Sequence, residues 1–313
     1  MDAVVTAGGI PQTDEPLYSY SRGGAKALID IAGKPMIQWV LDALSEAHTI
    51  ERVVLIGLTD RSGLTCKKPL TYLSNQGKML DNLKAGTAKV LELNPKAKYV
   101  LFVSSDIPGI KGEMVDWVVN NCLETTDDLY YNVIRREDME ERFPKSKRTF
   151  TPLKDMEVCG GDMNMARVSI VNQNSDFWSK LIEARKNPAA QAALIGPDII
   201  FKFIFRQLTI DDVIQRIADK LSLKGRALVC PYPEVGMDVD KPHQLEIMRA
   251  DLAKHPRRSS STKESAPKRK TVRKPVAKAK SKAKPASKKP VAKVKAKSAK
   301  KIASKSKHKS KKK

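Results

Sequence analysis

Through residues 1 to 254, short apolar runs rich in β-branched side chains alternate with longer stretches whose apolar positions recur at helical spacing. Ala3 to Thr6 opens the series as a buried strand, and Arg52 to Gly57, Tyr99 to Ser104 and Leu129 to Arg135 repeat its pattern. A period of about 3.6 residues marks helices over Met36 to Leu44, Met79 to Leu93 and Glu113 to Leu123. Strands alternating with helices predict an α/β protein with a parallel, layered sheet in Rossmann-like order. The middle is less regular. A charged segment runs from Arg136 to Arg148, an apolar, strand-like run from Met165 to Val171 follows, and helices are expected over Asp176 to Lys186 and Asp211 to Leu221. Ala227 to Cys230 reads as a short strand before Pro231 and Pro233. Pro242 suits the first turn of a last helix, where its missing N–H has no partner to lose and its fixed φ is already helical; that helix should reach about Lys254.

Charge divides the chain at the same place. Residues 255 to 313 hold 25 Lys and Arg against a single acid, Glu264, a net of +24, while residues 1 to 254 hold 33 basic and 34 acidic residues, a net of −1. The whole-chain value of +23 is therefore a property of the last 59 residues. These contain no Phe, Trp or Tyr and repeat Lys, Ala, Ser and Pro in units such as Lys-Pro-Val-Ala-Lys. Such a segment cannot bury enough apolar surface to offset its chain entropy, which predicts disorder. The expected organisation is one folded domain, 1–254, long enough for a substantial core, followed by a basic tail, 255–313. The tail resembles those of linker histones and bacterial histone-like proteins, which implies non-specific attraction to DNA, RNA or polyphosphate through counterion release. A solubilising extension without a partner is the alternative.

Cys66, Cys122, Cys159 and Cys230 are widely separated and form no CxxC pair, so they read as reduced interior thiols of a cytosolic protein. The first strand begins at the N-terminus, leaving no room for a signal peptide, and no apolar run is long enough to cross a bilayer. These features predict a cytoplasmic protein, with nucleoid association through the tail.

Candidate chemistry gathers where strands end. Ala3 to Thr6 runs into Ala7-Gly8-Gly9, and glycines after a strand let backbone N–H groups approach an anion; an ordinary tight turn is the competing reading. Lys26 offers mobile positive charge to an anion. A Gly33-Lys34-Pro35 turn then leads into the Met36 helix, an order unlike the Walker loop or the Gly-x-Gly-x-x-Gly fingerprint. Asp106 stands at the carboxyl end of a buried strand, where ligands of open α/β sheets collect. It could instead cap the next helix, although Pro108 and Gly109 delay that helix. Asp238 and Asp240 precede the last helix and could serve as carboxylate ligands or as its N-cap. In Cys159-Gly160-Gly161-Asp162-Met163-Asn164, glycines permit close approach while Asp162 and Asn164 offer acceptors and donors; a hairpin turn is the alternative. Gln76 and Asn82 offer paired hydrogen-bond donors and acceptors. Ser104 and Ser105 have no identifiable His-Asp relay, so a hydrolase triad is poorly supported.

The stretch Ala3 to Met36, with Ala7-Gly8-Gly9 and Lys26-Ala27-Leu28-Ile29-Asp30-Ile31-Ala32-Gly33-Lys34-Pro35-Met36, resembles the signature of nucleoside-triphosphate transferases of the molybdenum-cofactor guanylyltransferase-like (MobA-like) and sugar-nucleotide pyrophosphorylase type. The resemblance covers residues 1 to 125 and the segment around Asp240. It implies a Rossmann-like nucleotide-diphospho-sugar transferase fold of the GT-A type. It also implies Mg²⁺-dependent transfer of a nucleotidyl group from a nucleoside triphosphate to a phosphorylated or hydroxylated small-molecule acceptor, with release of pyrophosphate. On this reading Ala7, Gly8, Gly9, Arg22 and Lys26 meet the phosphates, Gln76 and Asn82 the base, and Gly161, Asp162 and Asn164 the acceptor. Asp106 and Asp240 hold Mg²⁺, with Asp238 the alternative to Asp240, and Lys26 and Asp106 are the catalytic pair. Two departures stand out. The family's arginine usually follows the glycines within a few residues, whereas Ile10 to Tyr20 intervene before Arg22, so the insert could be a lid or an acceptor-recognition segment. Lys241 replaces the threonine usual after the second aspartate. The rival readings are a glycosyltransferase of the related fold, whose usual Asp-x-Asp is broken by Ser104-Ser105-Asp106, and an inactive nucleotide-binding domain tethered to nucleic acid by the tail.

Overall fold

The computed structural model describes residues 1–173 and 196–254, with 178–180, 183, 187, 193 and 194 between them. The helix expected over 176–186 lies largely outside the described residues, and segment 255–313 lies wholly outside them. In chain order the elements are β1 (Asp2–Thr6), α1 (Tyr18–Ser21), the hairpin β2 (Asp30–Ile31) and β3 (Lys34–Pro35), α2 (Met36–Glu46), β4 (Arg52–Ile56), β5 (Leu70–Leu73), α3 (Met79–Leu93), β6 (Tyr99–Ser104) and α4 (Gly112–Leu123). The second half adds β7 (Leu129–Arg135), α5 (Arg136–Arg142), β8 (Thr151–Pro152), β9 (Glu157–Gly160), β10 (Met163–Arg167), α6 (Pro197–Ile204), α7 (Ile210–Leu221), β11 (Gly225–Val229) and α8 (Pro242–Lys254).

β1 lies inside the sheet, paired in parallel with β4 on one side and β6 on the other. Its side chains alternate between two buried faces, as a strand covered by helices on both sides requires. Ala3 and Val5 join Val53, Leu55, Leu101 and Val103 against α2 and α4. Val4 joins Val54, Ile56 and Val100 beneath α3, where Val90 closes the cluster. Gly86 sets the depth of that packing, because a Cβ there would lie 2.5 Å from Val4 Cγ1. Each large aliphatic side chain buried in these layers contributes about 1.5–3 kcal/mol.

The parallel sheet expected from the alternation occupies only half of the molecule. The nine-stranded sheet runs β5-β4-β1-β6-β10-β7-β9-β8, with β11 on the other edge of β7. β10 is antiparallel to both β6 and β7, and β8 and β9 extend the antiparallel part. β9 and β10 lie along one edge of β7 as a single interrupted strand. Between the pairs Cys159↔Ile134 and Met165↔Tyr130, β7 advances four residues and the facing chain six. Gly161 and Asp162 thus sit in a bulge, which corrects the hairpin-turn alternative. The apolar run expected as a strand over 165–171 splits: β10 ends at Arg167, and Val168–Ile170 forms a 3₁₀ turn with Ile170 buried. The charged segment after β7 folds as α5, because Met139 and the following Phe143 are buried. All four cysteines are free thiols, and burial pushes Cys122 and Cys230 up to about 12. Among the described residues no helix is long and apolar enough to cross a membrane.

Candidate active site

The C-terminal ends of β1, β4 and β6 open onto one rim. The Ala7 N–H still donates to Ile56 O at 2.8 Å, after which the chain leaves the sheet at Gly8. The turn is crowded, and Gly57 is the position that must be glycine. A Cβ on Gly8 would lie 2.6 Å from Asn75 Nδ2, and Gly57, at φ 99°, stacks so closely that its own Cβ would fall 2.3 Å from Gly8 Cα. Gly9 differs, since nothing lies within 4 Å of where its Cβ would be. Its carbonyl accepts from the Lys26 backbone N–H at 2.9 Å, so the glycine loop itself fixes the start of the 3₁₀ turn Lys26–Leu28.

That turn sends the Lys26 side chain between two carboxylates. Nζ lies 2.5 Å from Asp106 Oδ2 and 2.5 Å from Asp240 Oδ1. Asp106 is oriented by the Ser104 hydroxyl, which donates to Oδ1 at 2.6 Å. Asp240 arrives from the far end of the chain because the Val239 N–H donates to the Asp106 carbonyl at 2.9 Å. The Gln244 side-chain carbonyl accepts from the N–H groups of both Asp240 and Lys241, each at 2.9 Å. The start of α8 is therefore capped by Gln244, and the Asp240 carboxylate is turned to Lys26 rather than to the helix. Burial alone would lower the Lys26 pKa, but the two carboxylates outweigh it and hold the ammonium above its ordinary 10.5. Lys26 is thus a cation at neutral pH.

Asp238 is used differently. It forms an ion pair with Arg148, whose other guanidinium nitrogen lies 4.0 Å from Asp162 Oδ2. The loop carrying Arg148 is pinned by α8: the Ser146 carbonyl lies 3.0 Å from His243 Nε2 and accepts from Gln244 Nε2 at 3.4 Å. Cys159 joins this cluster, its thiol raised by burial against the opposing pull of Arg148. Of the two carboxylates left open by the sequence, Asp240 meets Lys26 and Asp106, and Asp238 meets Arg148.

The expected acceptor loop lies beside this centre. The Ser104 N–H donates to the Asp162 carbonyl and the Asp162 N–H to the Val235 carbonyl, both at 2.9 Å. Asn164 holds the bulge together, Oδ1 accepting from Asn132 N at 2.8 Å and Nδ2 donating to Gly161 O at 2.9 Å. Gly161 is closely packed, since a Cβ there would lie 3.1 Å from Asn132 Cβ. On the opposite side of the rim, the buried Asn82 accepts from Gln76 N at 2.7 Å and donates to Asn75 Oδ1 at 3.0 Å, so it shapes the loop that presents Gln76. Arg22 is exposed, in the left-handed conformation that ends α1. Ser104, Arg148 and Gln244 were not singled out as site residues in the sequence. Only the Ser104-Ser105-Asp106 order hinted at the first.

The donor set suits a small, hard cation. Both carboxylates already reach one cationic atom, so their oxygens are at most about 5 Å apart, twice the 2.5 Å contact. Mg²⁺ commonly takes one or two carboxylates and completes its shell with water and substrate phosphates. Among the described residues no group of three or more His, Cys, Asp and Glu forms a fuller metal cage.

A parallel β/α half ending in a glycine loop, joined through β6 and β10 to an antiparallel half, defines the α/β fold of the nucleotidyltransferases. The chain belongs to the MobA-like NTP transferase domain family, whose sequence profile matches residues 3–195. It is similar to a hypothetical transferase from Thermus thermophilus, at 32% identity over 78% of this chain and 98% of that one, with a TM-score of 0.67. A CMP:2-keto-3-deoxy-manno-octonic acid synthetase solved with CTP shares the fold, at 15% identity over 80% of this chain and 98% of that one, with a TM-score of 0.50. No curated protein matches the chain. Asp240 lies beyond the matched residues, so its place in the site comes from the geometry alone.

Proposed function

We propose that this nucleotidyltransferase moves the nucleotidyl group of a nucleoside triphosphate onto an oxygen of a small-molecule acceptor. The observation carrying the proposal is the bridge of Lys26 between Asp106 and Asp240 at the mouth of the glycine loop. An acceptor phosphate or hydroxyl oxygen forms a bond to the α-phosphorus, the bond from that phosphorus to the bridging oxygen breaks, and pyrophosphate leaves with the electron pair. A hydroxyl acceptor also gives up its proton. Asp106 and Asp240 would hold Mg²⁺, which supplies charge neutralisation and alignment of the phosphates when bound. The chain's own part is positioning and electrostatics. The open backbone around Gly9 admits a phosphate, Lys26 supplies a fixed positive charge, and Ser104 holds Asp106 in one orientation. Residues 255–313, with 25 Lys and Arg, add a non-specific polyanion tether, since lysine charge contacts phosphates and does not read bases.

The test is thermal stabilisation by each of the four nucleoside triphosphates with Mg²⁺. A ligand at a hundredfold excess over its Kd adds about 2.7 kcal/mol, a rise of about 5–10 °C for a domain of this size. At least one triphosphate should give it, and Asp106→Asn should remove it. No response to any of the four would refute the proposal.

A further inference from the structure

Between α3 and α7 the sheet carries a cavity of about 390 Å³. One end is polar and belongs to the site already described: Ser104, whose hydroxyl orients Asp106, and Asp162 line it. The rest is walled mostly by apolar side chains, among them Leu83 of α3, Phe102 of β6, and Ile214 and Ile217 of α7, with Thr6, Tyr131 and Trp178 bringing the other hydrogen-bonding groups. Asn164 also lines the cavity, but both ends of its amide are engaged in the bulge. The space thus adjoins the carboxylate centre only through Ser104 and Asp162, since Lys26, Asp106 and Asp240 do not line it, and most of its wall is apolar. A sugar placed there would bury several hydroxyls, and each one left without a partner weakens binding on the order of tenfold.

We propose that this cavity holds the body of the acceptor, and that the acceptor is poor in hydroxyl groups. It would carry its attacking phosphate or alcohol oxygen on a compact hydrocarbon or aromatic body. The attacking oxygen sits at the Ser104–Asp162 end and the apolar body fills the chamber. This inference rests on the nucleotidyl-transfer reading and narrows its substrate class.

The experiment uses the full-length protein, the triphosphate that stabilises it, and Mg²⁺. Pyrophosphate release is measured with hexyl phosphate, phenyl phosphate and the corresponding alcohols, and with glucose 1-phosphate and mannose 1-phosphate. Hexyl or phenyl compounds should exceed the sugar phosphates at least tenfold in kcat/KM. Ala166 lines the chamber from β10 and makes no contact in the proposed chemistry, so Ala166→Phe should fill it. That variant should raise KM for the apolar acceptor at least tenfold and leave stabilisation by the triphosphate unchanged. Ile214→Trp, on the opposite wall, tests the same point if Ala166→Phe fails to fold. Preference for the sugar phosphates would overturn the cavity assignment and leave nucleotidyl transfer standing. A filled variant that is more thermostable with unchanged acceptor KM would mark the chamber as an interior void and overturn it equally. Absent triphosphate stabilisation and absent pyrophosphate release with every acceptor would instead remove the underlying reading.

Discussion

Replacing Lys26 with Met removes the ammonium and keeps most of the apolar stem, so it isolates what the charge does. Lys26 and Asp106 are 18% and 17% exposed and Asp240 is 31% exposed, so the cluster is screened only in part. Removing one partner of a buried pair costs about 3–5 kcal/mol, and the exposure of Asp240 argues for the low end, about 3 kcal/mol. For a domain of this size that is a fall in Tm of about 6–12 °C. The loss should appear in a chelator and be largely reversed by Mg²⁺, because a dication can then occupy the place between the carboxylates. Wild type should respond much less to Mg²⁺ alone, since the ion must first displace the ammonium. The pH of the assay matters little. The Lys26 pKa is raised, so its contribution is fully present below 10.5 and lost only as pH rises through the higher folded value; about pH 7.5 reads it whole. Differential scanning calorimetry of both proteins, with chelator and with Mg²⁺, measures the four values. Equal Tm in chelator, or an equal response to Mg²⁺, would refute the argument that Lys26 holds two repelling carboxylates together.

The Asp238→Asn and Asp240→Asn variants should fail in opposite ways. The first leaves the Arg148 guanidinium, 15% exposed, without its carboxylate and should cost about 3 kcal/mol in urea denaturation while keeping Mg²⁺ binding; the second should lose Mg²⁺-dependent triphosphate binding, and a wild-type metal isotherm for it would sink the assignment. Asp116, whose pKa would rise with burial, is instead lowered to about 2 by hydrogen bonds from Thr49 and His48. Its stabilising share is therefore present above about pH 4 and lost as pH falls toward 2, so the stability gap between wild type and Asp116→Asn, about 2 kcal/mol near neutrality, should close over that range. Truncation after Lys254 should leave triphosphate stabilisation unchanged and abolish retention on DNA, while the full chain should bind different duplex sequences alike and lose affinity steeply with salt. Binding that survives truncation, or resists salt, would place nucleic-acid recognition in the folded domain.

Local signals in the chain carry the parallel half well. Each strand of β1, β4 and β6 is a short apolar run buried on both faces, and Lys26 and Asp106 follow such strands at short range, so their neighbourhood is visible in the residue order. Direction and pairing of the later strands are not. Hydrophobic period reports burial and says nothing of strand polarity, and Met163–Arg167 reads the same whether it runs with β6 or against it. β5 is a half-buried edge strand, and β2, β3 and β8 span two residues each, too few to show a period. Arg148 was hidden for another reason. Its partner Asp238 lies 90 residues away by their numbers, within a segment that displays only charge. Asn82 and Asn164 illustrate a third limit: an amide side chain offers the same groups to a ligand and to a neighbouring loop, and only geometry shows that Asn82 binds Gln76 N–H and the Asn75 side chain while Asn164 binds backbone at both ends.

The antiparallel insertion is what makes the site possible. With β10 between β6 and β7, the bulge at Gly161 and Asp162 falls directly beside the end of β6, and Ser104 N–H takes the Asp162 carbonyl there. Asp162 N–H in turn takes the Val235 carbonyl, and Val239 N–H takes the Asp106 carbonyl, so three backbone hydrogen bonds between 2.9 Å partners join three distant stretches of sequence. Backbone bonds of this kind do not depend on which side chains the loops carry, and they fix Asp106 and Asp240 close together before any ligand arrives. Two carboxylates held so near repel each other, and a fold that imposes this needs a cation in every state. Lys26 fills that need in this structure, and it is tied by its own N–H to Gly9. If Asp106 and Asp240 hold Mg²⁺ as proposed, Lys26 would be left to pair with triphosphate oxygens, so nucleotide and metal should each bind better with the other present.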